Sequence, residues 1–327
     1  MITEEKGANI IVNRWLKIAS GEKLLIVTDE NQHKAALLME KYAMEKGAIV
    51  DVVVIPIDSV NPGDIFEEQW LVKKFLDNDI IVGGTTYSLI TTNSANRAIK
   101  EGKKFLSLPL STKNGDSMLK YDFIEMNPDE AKKMALPIIE AMNKTDTIRV
   151  TTDLGTDITF RKVGRNASFF NGASVRQLGV DSASFEVYLA IEETETNGVA
   201  YGDGSFGYIG KMNSPVKLEY KDGRLINIEN TEDGKILKEY MKSFNDKDMY
   251  IAAELGIGLN SISRCEGRCY IEDESTYGTF HIGMGRNVSL GGKSLAKGHF
   301  DIVFNSPTIY AGDKIIMEKG KFLGNIN

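Results

Sequence analysis

Short apolar runs alternate with longer amphipathic stretches along the first part of the chain. The pattern predicts strands at residues 23–27, 52–55, 79–82 and 105–108, with helices between them at residues 31–46, 66–76 and 94–100. A further helix is predicted at residues 128–143, where Asn127 is suited to cap the helix and Pro128 to begin it. Strands that alternate with helices indicate an α/β domain with a parallel sheet, assigned here to residues 1–144.

The pattern changes near residue 145. Short alternating runs predict strands at residues 147–150, 157–161, 185–190, 216–220 and 225–228, and one helix is predicted at residues 234–244. Glycines and Asp-Gly pairs separate several of these runs, which is typical of tight turns between antiparallel strands. We therefore predict a second, mainly antiparallel β domain of the α+β type at residues 145–327.

Composition narrows the class of protein. Hydrophobic residues make up 42% and charged residues 26% of the chain, as in ordinary globular proteins. The net charge of -7, without a basic stripe, argues against a nucleic-acid partner. Apolar runs are no longer than a strand and the N-terminus lacks a secretory pattern, so we expect no membrane partner and a cytoplasmic location. Two cysteines are too few for a disulfide framework.

A glycine-rich run at residues 202–207 fits the spacing of a dinucleotide-binding loop. That loop must open a helix, whereas the residues that follow this run predict another strand. We interpret the run as a β-turn and predict no nucleotide cofactor.

The second domain contains a His-x-Asp pair, His299 and Asp301. In a strand, a spacing of two places both side chains on one face, and Phe300, Ile302 and Phe304 then point into a core. An imidazole and a carboxylate that project together are a common beginning of a metal site. By itself the pair fits a hydrogen-bonded surface pair better.

Three further residues strengthen the metal hypothesis. Glu186 and Glu254 lie within apolar runs, where a carboxylate is costly to bury unless it binds a cation. His281 lies among small residues that allow close approach to the backbone. Each carboxylate alone would also fit a charge at a strand end that reaches water. Taken together, these residues predict a metal site in the second domain.

Several segments, in order, resemble the aminopeptidase T family of leucyl-aminopeptidase-like metallopeptidases. They are ELGIGLN at residues 254–260, IEDE at 271–274, GTFHIGMG at 278–285, a glycine pair at 291–292 and HFD at 299–301. FEVY at residues 185–188, the Asn-Gly pair at 197–198 and GEKLLIVTD at 21–29 are similar to upstream segments of that family. The resemblance therefore covers most of the chain.

The resemblance implies a metal-dependent aminopeptidase that releases N-terminal residues from small peptides by means of metal-activated water, and it implies a homodimer. It also implies two divalent cations per chain, of zinc, cobalt or manganese, that share a water molecule. Carried over residue by residue, the metal ligands are Glu186, Glu254, His281, His299 and Asp301. Glu254 is the candidate catalytic residue, as a bridging ligand or proton shuttle.

One position departs from the peptidases. They carry a catalytic tyrosine seven residues after the histidine that matches His281, where this chain has Val288. Tyr277 and Arg286 are the nearby candidates for replacing the missing phenol. The same superfamily contains an iron-dependent ring-opening dioxygenase that acts on dihydroxypyridine, and a site with two histidines and an aspartate would suffice for it.

Two alternative functions therefore remain open. The first is a non-haem iron dioxygenase, or a hydrolase, that acts on a small hydroxylated ring compound. The second is a metal-binding protein without catalysis.

Overall fold

The computed structural model describes residues 1–56, 69–90 and 92–323. The first three residues of the helix predicted at 66–76 lie outside this part of the chain. The α-helices in the described residues are α1 Glu4–Ile10, α2 His33–Glu45, α3 Gln69–Asp77, α4 Asn93–Lys100, α5 Pro128–Asn143, α6 Val175–Leu178, α7 Glu232–Ser243 and α8 Tyr270–Ser275. No helix in the described residues is both long enough and apolar enough to cross a lipid bilayer.

The strands follow in chain order. They are β1 Lys23–Asp29, β2 Ile49–Ile55, β3 Ile80–Gly84, β4 Lys104–Ser107, β5 Thr147–Thr151, β6 Asp157–Arg161, β7 Ser168–Phe170, β8 Val180–Ser182, β9 Glu186–Ala190, β10 Asn197–Gly202, β11 Ser205–Phe206, β12 Gly210–Lys211, β13 Val216–Lys221, β14 Arg224–Ile228, β15 Ala252–Gly258, β16 Thr279–Gly285, β17 His299–Asn305, β18 Thr308–Ala311, β19 Lys314–Glu318 and β20 Lys321–Phe322.

The chain folds into two compact units. The first consists of Met1–Pro128 and Phe170–Ser184, and the second of Asp129–Phe169 and Phe185–Asn327. The sequence suggested a single division after residue 144. The chain instead returns to the first unit after β7, because β8 pairs in parallel with β4 and extends its sheet.

The first unit is built on a parallel sheet with the strand order β2-β1-β3-β4-β8. Every residue of β3 is buried, as expected when helices cover both faces of a parallel sheet. The predicted α/β class is confirmed. Helix α2 ends where Gly47 adopts a positive φ of 79°, a conformation that glycine allows without steric cost.

The second unit carries two antiparallel sheets, which confirms the predicted β class. One sheet has the order β14-β13-β10-β6-β5-β18-β19-β20, and the other has the order β12-β11-β17-β16-β15-β9-β7. Helix α7 begins two residues before the predicted start at residue 234, because the Thr231 hydroxyl accepts a hydrogen bond of 3.1 Å from the Gly234 backbone N–H.

The central strands of the second sheet present two different faces. Apolar side chains of β15, β16 and β17 lie opposite one another on the core face, where the rings of Phe280 and Phe304 stack with centroids 4.5 Å apart. Alternation along each strand turns the intervening residues to the other face. These residues are acidic, histidine or glycine at most positions, and they build the site described next.

Candidate metal centre

Adjacent strands bring the predicted site residues together on one sheet face. Glu186 begins β9 and Glu254 lies in β15. His281 lies in β16, and His299 and Asp301 lie in β17. Because β9, β15, β16 and β17 are consecutive in the sheet, residues up to 115 positions apart in sequence, such as 186 and 301, share one site.

The side chains form two donor groups that share Glu254. His281 Nε2 lies 2.9 Å from Glu186 Oε2. His299 Nε2 lies 3.1 Å from Glu254 Oε2 and 3.3 Å from Asp301 Oδ1. Within each group, one ligand atom per residue lies within 4.8 Å of the others, the groups being Glu186, Glu254 and His281, and Glu254, His299 and Asp301. Distances of this size allow a cation to bind between the donors.

Glycines on the intervening strands make this convergence possible. Gly283 of β16 pairs with Glu254 on one side and with Asp301 on the other. Those two residues are two strands apart, roughly 9–10 Å, so their side chains meet only by crossing above β16. A Cβ atom at Gly283 would lie 2.7 Å from Glu254 Cβ and 2.8 Å from Asp301 Oδ1. Only glycine leaves this space open.

The same arrangement recurs one strand away. Gly256 of β15 pairs with His281, whose imidazole extends above β15 towards Glu186 on β9. A Cβ atom at Gly256 would lie 1.9 Å from His281 Nε2. The small residues around these positions were noted in the sequence, but their pairing with each ligand depends on the register of the strands.

Burial gives the site unusual electrostatics. The Glu254 side chain is buried among other carboxylates, and burial raises its pKa to about 7 despite the opposing effect of His299. Burial would lower the pKa of His281, but the facing Glu186 raises it to about 9. The pKa of Asp301 is held well below its usual range against the effect of burial, because His299 lies beside it. The two imidazoles, whose pKa values are both raised by the neighbouring carboxylates, supply positive charge to the site, and a bound cation would supply it in their place.

Contacts behind the site leave donor atoms facing its centre. His299 Nδ1 lies 2.7 Å from the Arg286 carbonyl oxygen. In the tautomer in which Nδ1 donates this hydrogen bond, the unprotonated Nε2 can bind a metal ion. The Tyr270 phenol donates to Asp301 Oδ2. Asp301 Oδ1 is buried and makes no hydrogen bond within the described residues. Two imidazoles and several carboxylates, including that of Asp301, form a set of metal-binding groups that fits a divalent cation such as iron, zinc or manganese.

Two residues near the site were not assigned to it from the sequence. Tyr270 contacts Asp301, and Glu274 is a further buried carboxyl group beside Asp301. Burial raises the pKa of Glu274 well above its usual range, and the charge of Asp301 raises it further. Three consecutive acidic residues at 272–274, all buried in the structure, were the available signal.

Tyr277 and Arg286, the side chains considered as replacements for the catalytic phenol, contact other residues, whereas the Arg286 backbone carbonyl oxygen lies 2.7 Å from His299 Nδ1. Val288 begins a short 3-10 turn after β16. The Tyr277 phenol accepts a hydrogen bond of 3.1 Å from the Phe322 backbone N–H. The Arg286 guanidinium lies 3.4 Å from the Leu295 carbonyl oxygen. None of these side-chain contacts involves the metal-centre residues.

Comparison with known proteins identifies the family of this chain. The family model described as NicX, 2,5-dihydroxypyridine 5,6-dioxygenase, matches residues 14–324. The chain belongs to this family. It is therefore an enzyme, and its membership of the NicX family implies a metal cofactor.

One relative agrees with this placement, and two solved structures share the fold. The 2,5-dihydroxypyridine 5,6-dioxygenase of Pseudomonas putida KT2440 is 30% identical over 114 residues, a match that spans 32% of this chain and 32% of the relative. The solved structure of 2,5-dihydroxypyridine dioxygenase from the same strain has a TM-score of 0.84 at 18% identity, covering 99% of this chain and 98% of that one. Wild-type AmpT from Thermus thermophilus has a TM-score of 0.65 at 12% identity, covering 98% of each chain.

The prediction that this chain is an aminopeptidase, and with it a hydrolase and protease, is wrong. The NicX family model covers nearly the whole chain, and the relative that is 30% identical over 114 residues is a 2,5-dihydroxypyridine 5,6-dioxygenase. Both solved structures share the fold of this chain. The prediction failed because acidic and histidine ligands in the same order suit both peptidase and dioxygenase chemistry. Val288, in place of the peptidase tyrosine, was the position that departed from the peptidase pattern.

Proposed function

We propose that this enzyme is a non-haem iron dioxygenase that opens the ring of a dihydroxylated pyridine. The observation that carries the proposal is that two donor groups, one with His281 and one with His299 and Asp301, share Glu254 on one glycine-lined sheet face. Two histidines and an aspartate with open coordination positions are typical of non-haem iron oxygenases. Membership of the NicX family and the relatives' names support the dihydroxypyridine substrate.

In this proposal the ligand residues hold one ferrous ion. His299 would bind through Nε2, Asp301 through Oδ1, and His281 would complete the set. When bound, the iron supplies the redox chemistry and open coordination positions that ring cleavage by dioxygen requires. Glu186, 2.9 Å from His281 Nε2, would orient that imidazole.

Glu254 is proposed as the group that moves protons. Its Oε2 atom lies 3.1 Å from His299 Nε2, and burial raises its pKa to about 7. A carboxylate beside the metal can accept the proton of a ring hydroxyl as the substrate binds and return it later. Metal binding would lower this pKa and release protons, because ligands bind in their deprotonated forms.

Other features of the function remain proposals. We expect a small-molecule substrate, no nucleic-acid or membrane partner, and a homodimer.

The direct test is anaerobic reconstitution with Fe²⁺ followed by addition of oxygen and 2,5-dihydroxypyridine. We expect iron-dependent oxygen uptake together with loss of the pyridine absorbance. His299→Ala and Asp301→Ala should reduce the rate at least about 100-fold, because each removes a ligand. His33→Ala is the matched control, since His33 is exposed at the start of α2 in the other unit.

Two results would contradict the proposal. One is oxygen uptake by the Fe²⁺-loaded enzyme at the same rate with and without the pyridine. The other is full activity of His299→Ala after the metal has been removed by chelation. Hydrolysis of leucyl p-nitroanilide is measured in parallel and is expected to be absent.

A further inference from the structure

Helix α8 lies against the metal centre, and every one of its residues is buried. Its acidic residues have separate partners. Glu272 accepts hydrogen bonds of 2.9 Å from Arg268, and Asp273 accepts backbone hydrogen bonds of 3.0 Å from Glu266 and Gly267. Tyr270 and Glu274 are four positions apart and so share one face of the helix. Both of these side chains meet Asp301 of β17.

The Tyr270 phenol makes the two carboxylate oxygens of Asp301 unequal. It donates to Oδ2, whereas Oδ1 makes no hydrogen bond within the described residues. Oδ1 is the atom that lies 3.3 Å from His299 Nε2. The phenol therefore forms its hydrogen bond with Oδ2, and Oδ1 remains available to bind a cation.

The Tyr270 ring is itself held in place. Its centroid lies 4.6 Å from that of Tyr208. Gly207, which has a positive φ of 41°, lies between the ring and the backbone of β17. A Cβ atom at Gly207 would lie 3.5 Å from Tyr270 Cε2 and 3.4 Å from the Asp301 carbonyl oxygen. A ring packed in this way has few rotamers available, so its hydroxyl group is aimed at one atom.

We propose that Tyr270 is a positioning residue that fixes the Asp301 carboxylate with Oδ1 directed at the metal. The proposal rests on the proposed function, since it assumes that Asp301 binds the cation. Tyr270 does not touch the metal or the substrate in this role. Hydrogen-bond partners of metal ligands typically change metal affinity about 10- to 100-fold when they are removed.

The test compares Tyr270→Phe with Tyr277→Phe. Both substitutions remove one phenol hydroxyl from the second unit, but the Tyr277 hydroxyl meets the Phe322 backbone rather than the metal centre. The apparent Kd for Fe²⁺ is measured anaerobically by competition with a chromophoric chelator, and the visible absorption of bound Co²⁺ reports ligand geometry. We expect Tyr270→Phe to bind Fe²⁺ about 10- to 100-fold more weakly with an altered Co²⁺ spectrum. Tyr277→Phe should match the wild type in both.

A second variant guards against a folding defect. Tyr208→Ala keeps the Tyr270 hydroxyl and removes the ring beside it, so we expect a smaller loss of Fe²⁺ affinity in the same direction. Circular dichroism and the unfolding midpoint check that each variant is folded.

The outcomes separate this inference from the proposed function. If Tyr270→Phe and Tyr208→Ala bind Fe²⁺ and Co²⁺ as the wild type does, the positioning role is overturned and the proposed function stands. If the wild type binds neither cation, both are overturned. Equal losses in Tyr270→Phe and Tyr277→Phe would indicate a general structural effect and would also overturn the positioning role.

Discussion

At the scale of single residues, the metal centre depends on the absence of a side chain at two glycines as much as on its ligands. Gly256 and Gly283 pair directly with site residues on neighbouring strands. Directly opposed side chains in an antiparallel sheet have Cβ atoms about 4.5–5.5 Å apart, which leaves no room for a third side chain between two ligands. Glycine removes that obstruction while keeping the strand pairing.

Gly256→Ala should therefore disable the site and leave the fold intact. The added Cβ would lie 1.9 Å from His281 Nε2, so the imidazole must move away from Glu186. We expect Fe²⁺ affinity to fall by at least about 10- to 100-fold, measured by chelator competition. Gly84→Ala is the control, because its Cβ would lie 3.3 Å from the flexible end of Met39 and at ordinary contact distances of 3.6 Å from Leu110 Cδ1 and 3.8 Å from the Val27 carbonyl oxygen. Wild-type affinity in Gly256→Ala would show that His281 does not bind the metal.

At the scale of elements, a carboxylate anchors the segment that follows β16. Glu193, just after β9, accepts hydrogen bonds from Arg165 at 2.7 Å, the Lys293 backbone N–H at 2.7 Å and Asn287 at 3.0 Å. Burial would raise the pKa of Glu193, but the Arg165 guanidinium and these donors lower it to about 2. Glu193 therefore ties β9 to the segment that contains Val288.

The Glu193 contacts predict a pH-dependent stability. A carboxyl group whose pKa falls from 4.5 to about 2 on folding stabilises the protein above pH 4.5 and loses that contribution as the pH falls towards 2. Glu193→Gln should lower the free energy of unfolding by about 1.5–3 kcal/mol at pH 7, and the difference from the wild type should shrink below pH 4.5. Chemical denaturation at pH 7, 4 and 2.5 measures it.

Glu140→Gln provides the comparison for that experiment. Glu140 pairs with Lys144 on the exposed face of α5, where 69% of its side chain is accessible, and exposed ion pairs contribute little. A difference for Glu193→Gln that stays constant from pH 7 to 2.5 would show that the Glu193 charge is not responsible.

At the scale of the whole molecule, all the proposed metal ligands belong to the second compact unit, within Phe185–Asn327. A cation that binds only the folded site stabilises the unit that contains it. Stability and metal content should therefore be linked in the second unit.

Free Fe²⁺ at about 100 times its Kd should stabilise the protein by about 2.7 kcal/mol. For a unit of this size, that corresponds to a rise of about 5–10 °C in the unfolding midpoint. Calorimetry under anaerobic conditions measures the shift, which a chelator should abolish and His299→Ala should lack. Hydrogen exchange should slow in β9, β15, β16 and β17. If exchange slowed only in residues 1–128, the metal site would have been assigned to the wrong unit.

The fold class could be predicted from the sequence because it depends on local periodicity, and the candidate ligands came from periodicity at one pair and from the family resemblance for the full set. Period-two alternation places His299 and Asp301 on one face and Phe300 on the other, whatever the rest of the chain does. Helix signals are local in the same way, which is why α5 has its predicted bounds. The three-residue strand β8 is too short for such a signal.

Which residues meet depends on the tertiary structure. Strand register pairs Gly283 with both Glu254 and Asp301, and it places Glu254 in both donor groups. The contact between Tyr270 and Asp301 joins a helix to a strand 31 positions away in sequence. Register and packing depend on contacts between residues that are distant in sequence, and a local sequence pattern does not predict such contacts. The ligand types were also common to peptidase and oxygenase, so they predicted the metal chemistry but not the reaction.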